Sequence, residues 1–179
     1  MKKWIGIVII AALIIGLAWN FLKDSEEAAE FGLIETSEPT GLQKGDLPPQ
    51  FKLETIKEEP MALSDAKGKK VILNFWATWC GPCREEMPAL QAYDAANEDV
   101  VVVAVNLTDK DGDAEKISKF VSDFNLTFPV LLDQTGDVSK AYEVVNIPST
   151  YFIDEKGIIQ TKINGAIDEE LIDLYIKQM

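Results

Sequence analysis

The sequence predicts an α/β layered fold, a mixed β-sheet flanked by helices, preceded by an N-terminal transmembrane helix. Three observations carry that prediction. The stretches 71–77 (VILNFWA) and 101–107 (VVVAVNL) are almost wholly apolar, the pattern of strands buried on both faces. Each precedes a segment of helical character, and strands alternating with helices build a layered sheet. The chain then carries two strand-like runs, 149–154 and 157–164, joined through Glu155-Lys156-Gly157. Such a hairpin makes the sheet mixed rather than purely parallel.

The elements follow in chain order. Lys2 and Lys3 precede a run from Trp4 to Leu22 that is apolar except for Asn20. At about 1.5 Å per residue a helix of this length crosses a hydrocarbon core of ~30 Å. Trp4 and Trp19 lie near its two ends, where indoles favour the membrane interface. Lys23 follows, then Asp24, Glu26, Glu27 and Glu30; counting basic residues alone keeps the N-terminus in the cytoplasm and exports the rest. A cleaved signal peptide would have a shorter apolar core, about 7–15 residues, ending at a small-x-small site, and Ala28 and Ala29 lie too far beyond the span. Residues 1–22 are therefore expected to be an uncleaved signal-anchor. Residues 23–44, acidic and punctuated by Gly32, Pro39 and Gly41, are expected to be a linker, and 45–179 the folded domain.

Within that domain, 51–56 (FKLETI) alternates like a short strand and 61–70 reads as a turn-rich connection. A helix is expected from Gly81 to Asn97, with Pro82 tolerated in its first turn and Pro88 kinking it. Ile117, Phe120, Val121 and Phe124 recur at helical spacing over 113–125. A short strand over 129–133, a short helix over 137–144 and a final helix over 168–179, with acids in its first turn, complete the order. The segment 109–113 (DKDGD) fails as a calcium loop, which needs glycine sixth and an acid twelfth; these places hold Ala114 and Phe120. A loop running into a helix capped by Asp113 is expected instead.

The formal net charge of -13 repels phosphate backbones and argues against nucleic-acid binding. The chain has no histidine, which excludes a Ser-His-Asp triad, a Cys-His pair and a histidine metal site. Its two cysteines, Cys80 and Cys83, stand in NFWATWCGPCREEMP, residues 74–88. A structural zinc site needs four ligands, and one CxxC does not supply them, so no metal is expected. A structural staple stays open, although closing four residues removes entropy worth only ~1.9 kcal/mol, against ~4.7 for a 100-residue loop. The third reading is redox. At a strand-to-helix junction the first sulfur of CxxC meets the unpaired N–H groups and positive dipole end of the helix. Lowering a thiol pKa from ~8.5 to ~7 takes about 2 kcal/mol and raises the thiolate share at pH 7 from about 3% to about half. In that reading Cys80 is an exposed nucleophile that forms a mixed disulfide. Cys83, one turn on and tucked inward, resolves it, while Gly81 and Pro82 allow and fix the tight turn.

These residues resemble the thioredoxin superfamily, and more narrowly the membrane-anchored extracytoplasmic thiol–disulfide oxidoreductases of the TlpA/ResA type. The resemblance covers about 41–179: GLQKGDLPPQFKLETI matches the entry strand, LSDAKGKKVILNFWATWCGPC the core, and NIPSTYFID the cis-proline loop. Peroxiredoxins share the broader fold but carry Pro-x-x-x-Thr-x-x-Cys; Trp76, Ala77, Thr78 and Trp79 precede Cys80 here and that proline is missing. The resemblance implies a thioredoxin-like mixed sheet with a cis Pro148 beside the cysteines. It also implies that the Ile147 backbone pairs with an extended substrate segment.

In soluble thioredoxins a buried aspartate stands six residues before the first cysteine. Asn74 holds that place here and cannot be a base. Glu86, i+3 from Cys83 on the same helix face, matches the family's helix-borne glutamate and is expected to relay protons to or from Cys83 with a pKa raised by burial. A solvated surface glutamate is the plain alternative. Trp79 is expected to flank the site as an apolar contact surface and Trp76 to be a packing residue. By resemblance the chain reduces disulfides in exported proteins, such as the CxxCH of an apocytochrome c. Its redox centre would be the Cys80–Cys83 disulfide without a further cofactor, and its electrons would come from a membrane-embedded thiol carrier. The Gly-Pro dipeptide is similar to that of reducing thioredoxins, near about -270 mV, rather than strong oxidants near about -120 mV. A dithiol oxidase of the same fold, and a non-catalytic binding module with a structural disulfide, are the alternatives.

Overall fold

The computed structural model describes residues 32–34 and 39–179. The expected membrane segment 4–22 lies outside the described residues, and among those described no helix is long and apolar enough to cross a membrane. Two sheets form. Strands β1 (Gly32–Ile34), β2 (Gln50–Glu54) and β3 (Pro60–Ala62) make a small antiparallel sheet in that order. Strands β4 (Lys70–Trp76), β5 (Val100–Asn106), β6 (Val130–Leu132), β7 (Ser149–Ile153) and β8 (Ile159–Asn164) make the main sheet, ordered β6-β5-β4-β7-β8. Strands β4, β5 and β6 run parallel, while β7 and β8 run antiparallel to their neighbours, as the closing hairpin requires. The helices are α1 (Gly81–Ala96), α2 (Thr108–Asp111), α3 (Ala114–Asp123), α4 (Asp137–Ala141) and α5 (Glu169–Ile176).

Strand β4 is central and buried on both sides, which is why its sequence shows no alternation. Val71, Leu73 and Phe75 face a core shared with Phe51 and Leu53 of β2 and with Tyr142 and Tyr151. Ile72 and Trp76 face the other way, into a core with Cys83, Met87 and Leu90 of α1, Phe120 of α3 and Ile172 of α5. Asn74 lies between Ile72 and Trp76 on that second side, because successive strand residues alternate faces. The Trp76 ring packs on Phe120 at 4.6 Å between centroids, the packing role expected of it.

Four short elements differ from the sequence expectation. β1 falls inside the stretch read as linker, and the compact unit runs from Gly32 to Met179. The stretch read as a turn-rich connection begins within β3 and contains a 3-10 turn at Leu63–Ala66. The segment before Asp113 is helix α2, ended by Gly112 at φ 76°. Three- and four-residue elements are too short to display a hydrophobic period, so backbone pairing and packing decide them. Asp113 does cap α3, its Oδ1 accepting the Glu115 N–H at 2.9 Å.

Helix α2 also carries a group that holds the CxxC loop. The Asp111 side chain is fully buried. One oxygen, Oδ2, accepts the Thr78 N–H at 2.7 Å and the Asn106 amide at 2.9 Å; Oδ1 accepts the Thr78 hydroxyl and the Lys116 ammonium. Thr78 is two residues before Cys80, so this carboxylate ties the loop to the ends of β4 and β5. Burial disfavours its charge, but the donors from Asn106, Thr78 and Lys116 outweigh it and hold the carboxyl below its usual range. The stabilisation is therefore present above the unfolded pKa of about 4 and lost as pH falls through the lower folded value. Asp111→Ala strands the Thr78 and Asn106 donors and is expected to cost about 2–4 kcal/mol in urea unfolding at pH 7 with the disulfide intact. That gap should narrow in acid, and a loss under about 0.5 kcal/mol would refute the bracing role.

Candidate active site

Strand β4 ends at Trp76, and four residues later Cys80 is the N-cap of α1. Its backbone is extended and its Sγ accepts the Cys83 N–H at 3.1 Å, so the sulfur occupies the place of a capping oxygen among the helix's unpaired donors. Cys80 and Cys83 are joined by a disulfide with Cα atoms 5.3 Å apart. Cys80 is 4% exposed and Cys83 not at all. The order of access is the expected one, but Cys80 is far less open than an exposed nucleophile. The surface around it is formed by Trp79, 55% exposed, and by the exposed Gly81 and Pro82. Gly81 does not use glycine's freedom: its φ is not positive and a Cβ there would meet nothing within 4 Å. The turn is shaped instead by Pro82 in the first helical turn and by the cap.

The second approach to the cysteines is the loop before β7. The Ile147–Pro148 peptide bond is cis. Pro148 is buried, and its carbonyl accepts the Gly165 N–H at 2.8 Å. Ser149 pairs with Phe75, which brings this loop to the end of β4 that leads to Cys80. Ile147 is half-buried between the two cores, and its backbone takes no part in the turn, loop and cap hydrogen bonds of the described residues.

Beneath the cysteines lies a buried polar group. Glu86 is 1% exposed, on the inner face of α1 one turn beyond Cys83. Its Oε1 accepts from the Asn74 amide at 2.8 Å and its Oε2 from the Ile167 N–H at 3.0 Å. Burial pushes the carboxyl up to about 7, against these two hydrogen bonds, which favour the charged form. The solvated-glutamate alternative is thereby removed. Glu85, its neighbour, is exposed, as its i+2 position from Cys83 predicts.

Three participants have roles that no sequence pattern announces. Asn74, a buried hydrogen-bonded amide that cannot be a base, is the donor to Glu86, and it also donates to the Thr150 hydroxyl at 2.9 Å. Ile167 contributes only its N–H, for which a side-chain motif has no signal. Asp111 lies in a segment read as a loop. Among the described residues no group of three or more Cys, Asp or Glu could hold a metal ion.

Residues 45–162 match the AhpC/TSA family. The chain is 39% identical over 161 residues to the thioredoxin-like protein YneN of Bacillus subtilis, covering 89% of this chain and 88% of that protein. It is 40% identical over 141 residues to the thiol-disulfide oxidoreductase ResA of Oceanobacillus iheyensis, covering 75% of this chain and 72% of that protein. The crystal structure of StoA from Bacillus subtilis superposes with a TM-score of 0.64 at 32% identity, covering 77% of this chain and 99% of that one. The family match over 45–162, the identity to thiol-disulfide oxidoreductases and a capped CxxC disulfide on this fold place the chain in the AhpC/TSA family as a thioredoxin-like thiol–disulfide oxidoreductase whose redox centre is Cys80–Cys83.

Proposed function

We propose that this chain is an extracytoplasmic protein-disulfide reductase, held at the membrane by residues 1–22 and acting on exported substrates such as apocytochrome c. The observation that carries the reading is the CxxC cap of α1 with a buried carboxyl one turn below it. In the dithiol form the Cys80 thiolate attacks a substrate disulfide. One substrate sulfur leaves and takes a proton, and Cys80 is left in a mixed disulfide. Cys83 gives its proton to the Glu86 carboxylate, and its thiolate attacks Cys80 Sγ. The second substrate sulfur is released and protonated, and the Cys80–Cys83 disulfide forms. Two electrons and two protons have then passed to the substrate. A membrane thiol carrier restores the dithiol by the reverse exchange. Trp79 and the Ile147 backbone are the contact surface for an extended substrate segment, added as a short strand before cis-Pro148.

The direction of electron flow is tested by the equilibrium reduction potential against glutathione or dithiothreitol. A value near about -270 mV is expected, and one above about -180 mV would make the chain a dithiol oxidase instead. The relay is tested with Glu86→Gln. Release of the mixed disulfide by Cys83 should slow at least tenfold at pH 7 and lose its inflection near pH 7; an unchanged rate and profile would remove Glu86 from the mechanism. The same variant has a stability signature. A glutamate whose folded pKa is raised from 4.5 to about 7 binds protons more tightly when folded, so its contribution falls as pH rises through that window. The oxidised wild type should lose about 3 kcal/mol relative to Glu86→Gln between pH 4.5 and 8 in urea unfolding.

A further inference from the structure

Among the buried polar side chains that the mechanism above does not use, Asn74 is the one that donates directly to Glu86. Asn74 is completely buried on β4, on the α1 side of the sheet. Its amide nitrogen spends both protons within the fold, one on Glu86 Oε1 at 2.8 Å and one on Thr150 Oγ1 at 2.9 Å. Its oxygen, Oδ1, has no partner among the described residues. The side chain is thus oriented by its donors alone, and it keeps an unpaired buried acceptor in that orientation. Turned about its terminal torsion, the amide would place a carbonyl oxygen against Glu86 Oε1 and repel a carboxylate there. A leucine of similar size would fill the space without leaving an orphaned oxygen, so packing does not account for an amide here.

We infer that Asn74 is a positioning residue for the relay: it holds the Glu86 carboxyl under α1 and, as the side-chain donor to Oε1, sets the proton affinity of that group. This rests on the reading of Glu86 as the relay to Cys83. The surroundings make Asn74 decisive. On α1, Glu86 is followed back one turn by Cys83, which is tied to Cys80 in a disulfide. From β7 comes only the Thr150 hydroxyl, bonded to Asn74. From the segment before α5 comes the Ile167 N–H, while the neighbouring Asp168 carboxylate caps α5 on the Leu171 N–H at 2.8 Å. Neither β4 nor β7 supplies a charged side chain bonded to Glu86. With an aspartate at position 74, two carboxyls would meet at the distance of the present hydrogen bond, and they could ionise only one at a time. Asn74 is thus what permits the carboxyl to stand on the helix rather than on the strand.

The experiment compares wild type, Asn74→Leu and Asn74→Asp in the full-length protein. It reads two quantities: the Glu86 carboxyl titration by isotope-edited infrared spectroscopy in the oxidised state, and the pH profile of mixed-disulfide release by Cys83. Asn74→Leu removes the donor and should raise both midpoints by at least one pH unit, slowing release about fivefold at pH 7. Asn74→Asp, nearly isosteric, should replace the single carboxyl titration with two separated steps. A Glu86 titration within about 0.2 unit of wild type in Asn74→Leu would overturn the inference. If that variant does not fold, one unshifted titration of Glu86 in Asn74→Asp does the same. If Glu86→Gln leaves the Cys83 profile intact while Asn74→Leu shifts the carboxyl, the relay fails and the Asn74–Glu86 coupling stands.

Discussion

Glu86 sits where a carboxyl costs free energy, in the core between α1 and the central strand, and the redox end of the molecule is arranged around meeting that cost. Two donors reach it from opposite sides, the Asn74 amide from β4 and the Ile167 N–H from the segment entering α5. Each bond ties a separate part of the chain to the inner face of α1. They offset burial only in part, which is why the group is poised near neutrality rather than ionised through the whole physiological range. A fully satisfied carboxylate would be a poor proton acceptor, and an unsatisfied one would stay protonated. The intermediate case is the one useful for moving a proton at pH 7.

The other side of the site is governed by the helix terminus. A sulfur at the N-cap meets the positive end of α1, which supplies about 0.3–1 kcal/mol and up to about 2 in partly buried geometry. The Cys83 N–H points at Cys80 Sγ and adds a specific bond to that field. The loop that delivers the sulfur is fixed by Thr78, whose backbone and hydroxyl both end on Asp111. The Asp111 charge is compensated by the donors gathered on it. It therefore positions the loop without leaving an unopposed anion close to the Cys80 sulfur. Trp79, standing out of this braced loop, is exposed because both of its neighbours are tied inward.

Much of this was legible in the sequence. The apolar runs at 71–77 and 101–107 became β4 and β5, and Asp113 capped its helix, because burial on two faces and capping each leave a direct pattern in residue type. Cys80 and Cys83 were identifiable because their spacing and the preceding strand define the geometry. The helix-borne Glu86 could be named from its spacing to Cys83, yet its burial could not, since a lone glutamate in a charged stretch looks like any solvated one. The role of Asn74 was hidden for a different reason. Its partners lie 12 and 76 residues away, and no local period links them. Asp111 bonds to Thr78 across 33 residues and sits in a four-residue helix too short to announce itself. Gly81 shows the opposite error. A glycine in a turn suggests a need for unusual backbone, and here none exists.

The proposed relay requires that the carboxyl buried one turn beyond Cys83 take a proton near neutral pH. The most direct measurement is the carbon-13 chemical shift of the Glu86 carboxyl across pH 3–9 in the oxidised wild-type protein. A single transition centred at about 7 is expected. A midpoint at the ordinary glutamate value of about 4.3 would contradict it.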